Sequence, residues 1–306
     1  MWSPRGKGFP RDRVIYRDAT HAGSWYTDNP RLLSQELEAW LAATAVLKSD
    51  SAQAAIAPHA GYRYSGRCAA YAFAHINPKN ISRVFLLGPS HHYFTRRCAL
   101  SRASAYRTPL GDIPIDEEVY RELWATGQFE EMSRDVDEAE HSMEMHLPYL
   151  YKVFEGHHFT LVPILVGALS PEAEERYGTL LSKYMDDPSN FFSISSDFCH
   201  WGTRFNYTRH EKKREPIYKA IEALDHRGMD LIEIGDPEAF TEYLQESENT
   251  ICGRHPIGIL LHILKKCRPG LRMKFVQYEQ SSHCKTLRDS SVSYAAAVTI
   301  PKTNGA

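Results

Sequence analysis

The sequence has no CxxC pair, no strong excess of either charge, no long apolar run and no internal repeat. Its six cysteines (68, 98, 199, 252, 267 and 284) are scattered. That argues against both a structural zinc knuckle and a disulfide framework, and reads as reduced thiols. A formal net charge of −2 leaves no basic excess to draw the chain onto phosphate backbones, so nucleic acid is not an expected partner. The best apolar stretch, 159–169, is interrupted by Pro163 and Gly167 and falls short of the roughly 18 apolar residues of a membrane span, so no membrane insertion is expected. The N-terminal MWSPRGKGFPRDR lacks the continuous apolar segment and small-residue cleavage site of a secretory signal. A cytoplasmic location is the expectation, with the nucleus as a second compartment. Residues 1–13 read as a flexible tail, and the absence of any low-complexity linker reads 14–300 as one domain.

Short apolar runs bounded by turn residues at 54–57, 84–87, 159–166 and 191–194 read as buried strands. Two later runs, 273–278 and 292–300, are rich in β-branched or aromatic residues and complete or edge the sheet. Helical patterns alternate with them. The first follows Asp28-Asn29-Pro30, with Leu33, Leu37, Trp40 and Leu41 at helical spacing; others fall near 65–75, 116–126, 143–154, 171–185, 212–227, 237–246 and 256–266. Ser170-Pro171 and Asp236-Pro237 are cap-plus-proline helix starts. The alternation predicts an α/β fold: a mixed, mostly parallel central sheet flanked by helices.

What the sequence has in quantity is histidine, fifteen in all, several in clusters that directly follow strands. 54–57 leads to Pro58-His59-Ala60-Gly61-Tyr62, 84–87 to Gly88-Pro89-Ser90-His91-His92, and 191–194 to Ser195-Ser196-Asp197-Phe198-Cys199-His200-Trp201. Ligands of parallel α/β sheets bind outside the carboxyl ends of the strands, so three such clusters should converge on one crevice. Imidazoles and a carboxylate gathered there suit metal ligation or proton transfer. By spacing alone His59 and His91 read equally as ligands or as hydrogen-bonded loop residues. Asp197 reads either as a turn cap or as the group that orients His200, three residues on, as a base. His141 and His146 are five apart and fit one helical face poorly, which gives His141 a supporting role in the pocket. Glu140 and Glu144 have the four-residue spacing of a solvated pair. Cys252 precedes a helix that Pro256 can start, with Arg254 nearby; both features favour thiolate, against the alternative of an inert buried thiol.

In chain order, THAGSWY (20–26), APHAGY, GPSHH, EHSMEMHLP, SSDFCHWG, NTICGRHPIG and DSSVSYA resemble the Memo proteins, over about 14–300. The resemblance implies a fold similar to the class III extradiol dioxygenases, whose non-haem iron is held by two histidines and a carboxylate. It also implies metal ligation by His59, His91 and Cys252, with Asp197 and His200 as catalytic residues in the same pocket. Two imidazoles and a thiolate form a softer set than the dioxygenase triad, one that favours copper, Cu(I) above all, while accepting Fe(II). The function so implied is a redox protein that reduces dioxygen to superoxide, with His200 available for proton transfer, or that sequesters Cu(I), in signalling for cell motility. The alternative is an adaptor that takes a phosphotyrosine peptide of a receptor into the same pocket, between Trp25, Tyr64 and Trp201, with Arg63, Arg67, Arg96 or Arg97 drawing the phosphate. A third reading is ring cleavage of a small aromatic substrate.

Overall fold

The computed structural model describes residues 14–49, 51–210, 216–267 and 270–302; the tail expected over 1–13 lies outside the described residues. The chain begins with β1 (Tyr16–Arg17), α1 (Pro30–Ala43), β2 (Ala54–Ala57), α2 (Tyr62–Phe73) and β3 (Arg83–Pro89). Short elements follow: β4 (Cys98–Ser101), β5 (Ala105–Thr108), β6 (Gly111–Pro114), α3 (Glu117–Ala125), β7 (Phe129–Met132), α4 (Arg134–Ala139), α5 (His141–Glu144) and α6 (Leu147–Val153). Then come β8 (Thr160–Val166), α7 (Pro171–Met185), β9 (Asn190–Ser195), β10 (His200–Trp201), α8 (Ile217–Ile234), α9 (Pro237–Ser247), α10 (Arg254–Lys266), β11 (Leu271–Gln280) and β12 (Ser291–Pro301).

Nine strands form one sheet in the order β10-β12-β2-β9-β3-β8-β4-β7, with β11 paired to β12. At its heart β2, β9, β3 and β8 run parallel, and antiparallel neighbours flank them, β12 beside β2 and β4 beside β8. This is the mixed α/β architecture the sequence implies, consistent with the extradiol-dioxygenase-like fold of the resemblance. β2 is apolar and β9 carries Phe191, Phe192 and Ile194, and both are buried along their whole length, so helices must cover them. α10 and α7 pack over β3 and β9, while α2 covers β2 and β12 with α1 and α6 against it.

The expected caps form. Asn29 accepts from the N–H groups of Arg31 and Leu32, Ser170 from Ala173, and Asp236 from Glu238 and Ala239, each ahead of a proline in the first turn. The helix read over 143–154 is broken into α5 and α6, because Pro148 has no N–H to offer the Glu144 carbonyl. His146 sits at the break, its ring buried, with Nδ1 2.8 Å from Ser193 Oγ and Nε2 3.1 Å from the Ala57 carbonyl. The helix expected at 212–227 runs from Ile217 to Ile234 and stops at Gly235, whose φ of 80° is left-handed; residues 211–215 lie outside the described residues. β4 to β7, each four residues long, carry too little pattern to be read from sequence.

Candidate metal centre and its cavity

Because β2, β9 and β3 are parallel neighbours, their carboxyl ends open on one edge of the sheet, and His59, Asp197 and His91 follow directly from them. Cys252 comes from the loop that enters α10. One nitrogen each of His59 and His91 and the sulfur of Cys252 all lie within 4.8 Å of one another, with Cys252 Sγ 3.2 Å from His59 Nε2.

The hydrogen bonds behind these groups fix which nitrogen faces the centre. Ser195 Oγ donates to the Ser142 carbonyl at 2.7 Å, so its contact with His59 Nδ1, also 2.7 Å, is one in which the imidazole donates. Nε2 of His59 then carries the lone pair that faces Cys252. His91 Nδ1 donates to Glu140 Oε1 at 2.8 Å, while the His91 backbone N–H donates to Oε2 at 2.7 Å. This is the carboxylate-behind-histidine arrangement that fixes tautomer and ring orientation at metal centres. Burial opposes charge on His91, but its hydrogen bonds to Cys252 and Glu140 outweigh that and raise its pKa to about 10. Burial likewise opposes charge on Glu140, yet His91 holds its carboxyl down at about 2. His59 is pushed well below the ordinary histidine value by burial and by His91 and His141 beside it. Burial raises the Cys252 thiol, against which the Asp197 N–H, 3.2 Å from Sγ, offers the sulfur a donor. His59 Nε2, the sulfur, and His91 Nε2 once it gives up its proton form a set that could hold a transition metal ion.

Asp197 caps a turn, and His200 acts on its carboxylate through charge without a hydrogen bond between them among the described residues. Asp197 Oδ1 accepts the backbone N–H groups of His59 at 2.8 Å and Ala60 at 3.3 Å. The chain after β9 is extended instead of helical, and His200 is oriented from elsewhere, with Nδ1 3.1 Å from the Thr250 carbonyl. That leaves Nε2 as its free nitrogen. His141 stacks on His91, and its Nδ1 is buried without a hydrogen bond among the described residues. Burial and the neighbouring His91 bring its pKa down to about 3.

A cavity of about 790 Å³ opens beside these groups, lined by His59, His91, His141, Asp197 and His200, with Trp25, Tyr64 and Phe205 as aromatic walls and Arg63 and Arg204 as cations. Trp201 does not line it. In the two-residue strand β10 successive side chains point to opposite faces, so His200 meets the cavity while Trp201 is fully buried in a satellite core with Cys199, Tyr207 and Ile221. Arg67 pairs with Glu279 at 2.8 Å, and Arg97 bonds to the Gln128 carbonyl.

Sequence reasoning missed the buried charges. Glu140 and Glu144 are not a solvated pair but 1% and 0% exposed. Arg17 is buried as well; it bonds to Glu144 Oε2 at 2.6 Å and to the Glu140 carbonyl at 2.8 Å. His21 Nδ1 and the Tyr26 hydroxyl, each at 2.8 Å, complete the shell of Glu144. The one available signal was the pairing of THAGSWY and EHSMEMHLP, two polar motifs with no strand end of their own.

A family model described as Memo-like protein matches residues 17–298. The chain belongs to the Memo family. It is 53% identical over 294 residues to Protein MEMO1 of Danio rerio, covering 94% of this chain and 99% of that protein. It is 52% identical over 290 residues to Protein MEMO1 of Homo sapiens, covering 93% and 97%. To Protein memo-1 homolog of Caenorhabditis elegans it is 45% identical over 287 residues, covering 92% and 82%. In this Memo-family chain Trp25, His59, His91, His141 and His200, each from a different one of the motifs read in the sequence, line a single cavity. Among the described residues no helix is long and apolar enough to cross a membrane.

Proposed function

We propose that this Memo-family chain is a redox metalloprotein that holds one copper or iron ion, Cu(I) by preference, through His59 Nε2, His91 Nε2 and Cys252 Sγ. The observation that carries the reading is the convergence of these three ligand atoms within 4.8 Å, with both Nδ1 atoms engaged behind them. Bound by His59, His91 and Cys252, such an ion in its reduced state would supply the one electron that takes dioxygen to superoxide. The protein's part is to fix the two imidazole tautomers through Ser195 and Glu140, to offer the sulfur the Asp197 N–H, and to present His200 Nε2 to the cavity for proton transfer. We read 14–300 as one domain, supported by a core that runs from Tyr26 to Val298. We place its activity, in signalling for cell motility, in the cytoplasm, supported by six free cysteines of the kind a reducing compartment keeps.

The test is anaerobic titration of metal-free protein with Cu(I) and with Fe(II), for wild type and Cys252→Ser, followed by oxygen uptake with ascorbate as reductant. Tight binding that is lost in the variant, with metal-dependent oxygen uptake, is the expected result. Tight binding with suppressed uptake would assign Cu(I) sequestration instead, and equal binding by the variant would overturn the site.

A second reading is favoured by the cavity itself, which is far larger than an ion needs and combines Arg63 and Arg204 with aromatic walls. An adaptor that takes a phosphotyrosine peptide would use those cations. Peptide affinity that survives both metal removal and Cys252→Ser, and falls with Arg63→Ala, would support it.

A further inference from the structure

Three rings lie in contact in a line that begins at a proposed metal ligand. His141 stacks on His91 with centroids 4.4 Å apart and planes 26° from parallel. The Trp25 ring lies against His141 with centroids 4.4 Å apart and planes tilted by 34°. His141 is thus in ring contact with both the proposed ligand His91 and Trp25. Trp25 is partly exposed and lines the cavity. Holding an ion gives no role to Trp25, since the indole offers no lone pair to it. No hydrogen bond fixes the middle ring at Nδ1 among the described residues, Glu140 Oε1 lying 3.6 Å away.

We propose that Trp25 and His141 form an electron relay to His91, by which a peroxide in the cavity is reduced by two electrons instead of one. The relay rests on the redox metal reading above. Electronic coupling between groups falls steeply with the gap that separates them, and rings in van der Waals contact leave no gap; indole is also among the side chains that give up an electron most readily. The peroxide is hydrogen peroxide, which forms when superoxide disproportionates. Its reduction to two waters breaks the O–O bond and takes two electrons and two protons. One electron would come from the reduced ion that His59, His91 and Cys252 would hold, raising it by one oxidation state. The other leaves the Trp25 indole, whose Nε1 proton goes to solvent while the waters take their two protons from it. A thiol or ascorbate at the exposed edge then returns a hydrogen atom to the indolyl radical. Without the second electron, one-electron cleavage would give hydroxide and a hydroxyl radical in contact with Cys252 and His59.

To test this, anaerobic Cu(I)-loaded protein is mixed with equimolar hydrogen peroxide in the presence of a nitrone spin trap, and adducts and oxidised residues are located by peptide mass spectrometry. The adduct should sit on Trp25 in wild type. In His141→Leu it should largely disappear, and in both His141→Leu and Trp25→Phe oxidation should move to Cys252 and His59, with metal content measured in every sample. An unchanged Trp25 adduct in His141→Leu overturns the relay and leaves the metal reading standing. So does radical spread evenly over Trp40, Trp124 and Trp201 in the unaltered chain, a result that decides the matter even if a variant fails to fold. Failure of wild type to take up Cu(I) overturns both.

Discussion

Glu144 gathers more charge-assisted bonds than any other carboxylate near the centre, from Arg17, the ring and backbone of His21, and Tyr26. Burial alone would raise its pKa, but the His21 hydrogen bond and the Arg17 charge outweigh burial and hold it at about 2, against 4.5 ordinarily. A carboxyl group held lower in the folded chain than in the unfolded one stabilises the fold above pH 4.5, and that contribution fades as pH falls from 4.5 towards 2. Glu144→Gln is therefore expected to cost about 3 kcal/mol at neutral pH. Urea unfolding at a series of pH values should show the gap to wild type closing across that acid window; a constant gap would mean that the charge is not what matters. Glu140 acts differently, through the ring it orients. Glu140→Gln should weaken Cu(I) affinity by about 10- to 100-fold, as loss of such a supporting partner typically does, read by competition with a Cu(I) chelator.

At the scale of elements, the centre depends on how closely α10 approaches the end of β9. A Cβ built at Gly253 would lie 2.3 Å from Ser196 Cβ and 2.5 Å from the Ser195 carbonyl, so only glycine lets Cys252 and the helix start sit against that loop. Gly253→Ala should cost ~1–3 kcal/mol, as overpacking does, and should weaken metal binding with all three ligands present. Thermal unfolding and titration measure both, and a variant that matched wild type in both would show that the approach is not needed. The same elements explain what the sequence could tell. β2, β3 and β9 were legible because each is an apolar run that ends in a Pro- or Ser-bearing polar cluster, so His59, His91 and Asp197 were placed at one edge from pattern alone. The roles behind them were not legible. Whether Asp197 caps a turn or serves His200 depends on whether 197–200 coils, and the pairing of β10 with β12 that keeps it extended joins His200 to Val292. Glu144 looked solvated because its partners Arg17 and His21 lie more than a hundred residues earlier, and no local spacing records a contact of that range.

For the whole molecule, the proposed ligands come from three separate segments, the ends of β2 and β3 and the entry to α10. An ion held there ties together parts of the sheet and its covering helix that the unfolded chain does not keep near one another. At a free concentration a hundred times Kd, Cu(I) should therefore add about 2.7 kcal/mol of stability. Thermal unfolding with and without Cu(I) should show that gain in wild type and none in Cys252→Ser; a gain of equal size in the variant would place the ion elsewhere. The order in which these segments appear has a further consequence, for the time of synthesis. Cys252 follows His59 by 193 residues, so at typical rates of translation it is made roughly 10 to 40 seconds later. For most of that interval, from His91 onward, a nascent chain carries both imidazoles without the sulfur. On the proposed reading the soft ligand arrives last, after the strands that position its partners, so the three-ligand set could not be completed by whatever ion first meets the ribosome-bound chain. Metal loading, on that reading, would be an event of the finished fold, and the choice of metal would be deferred to it.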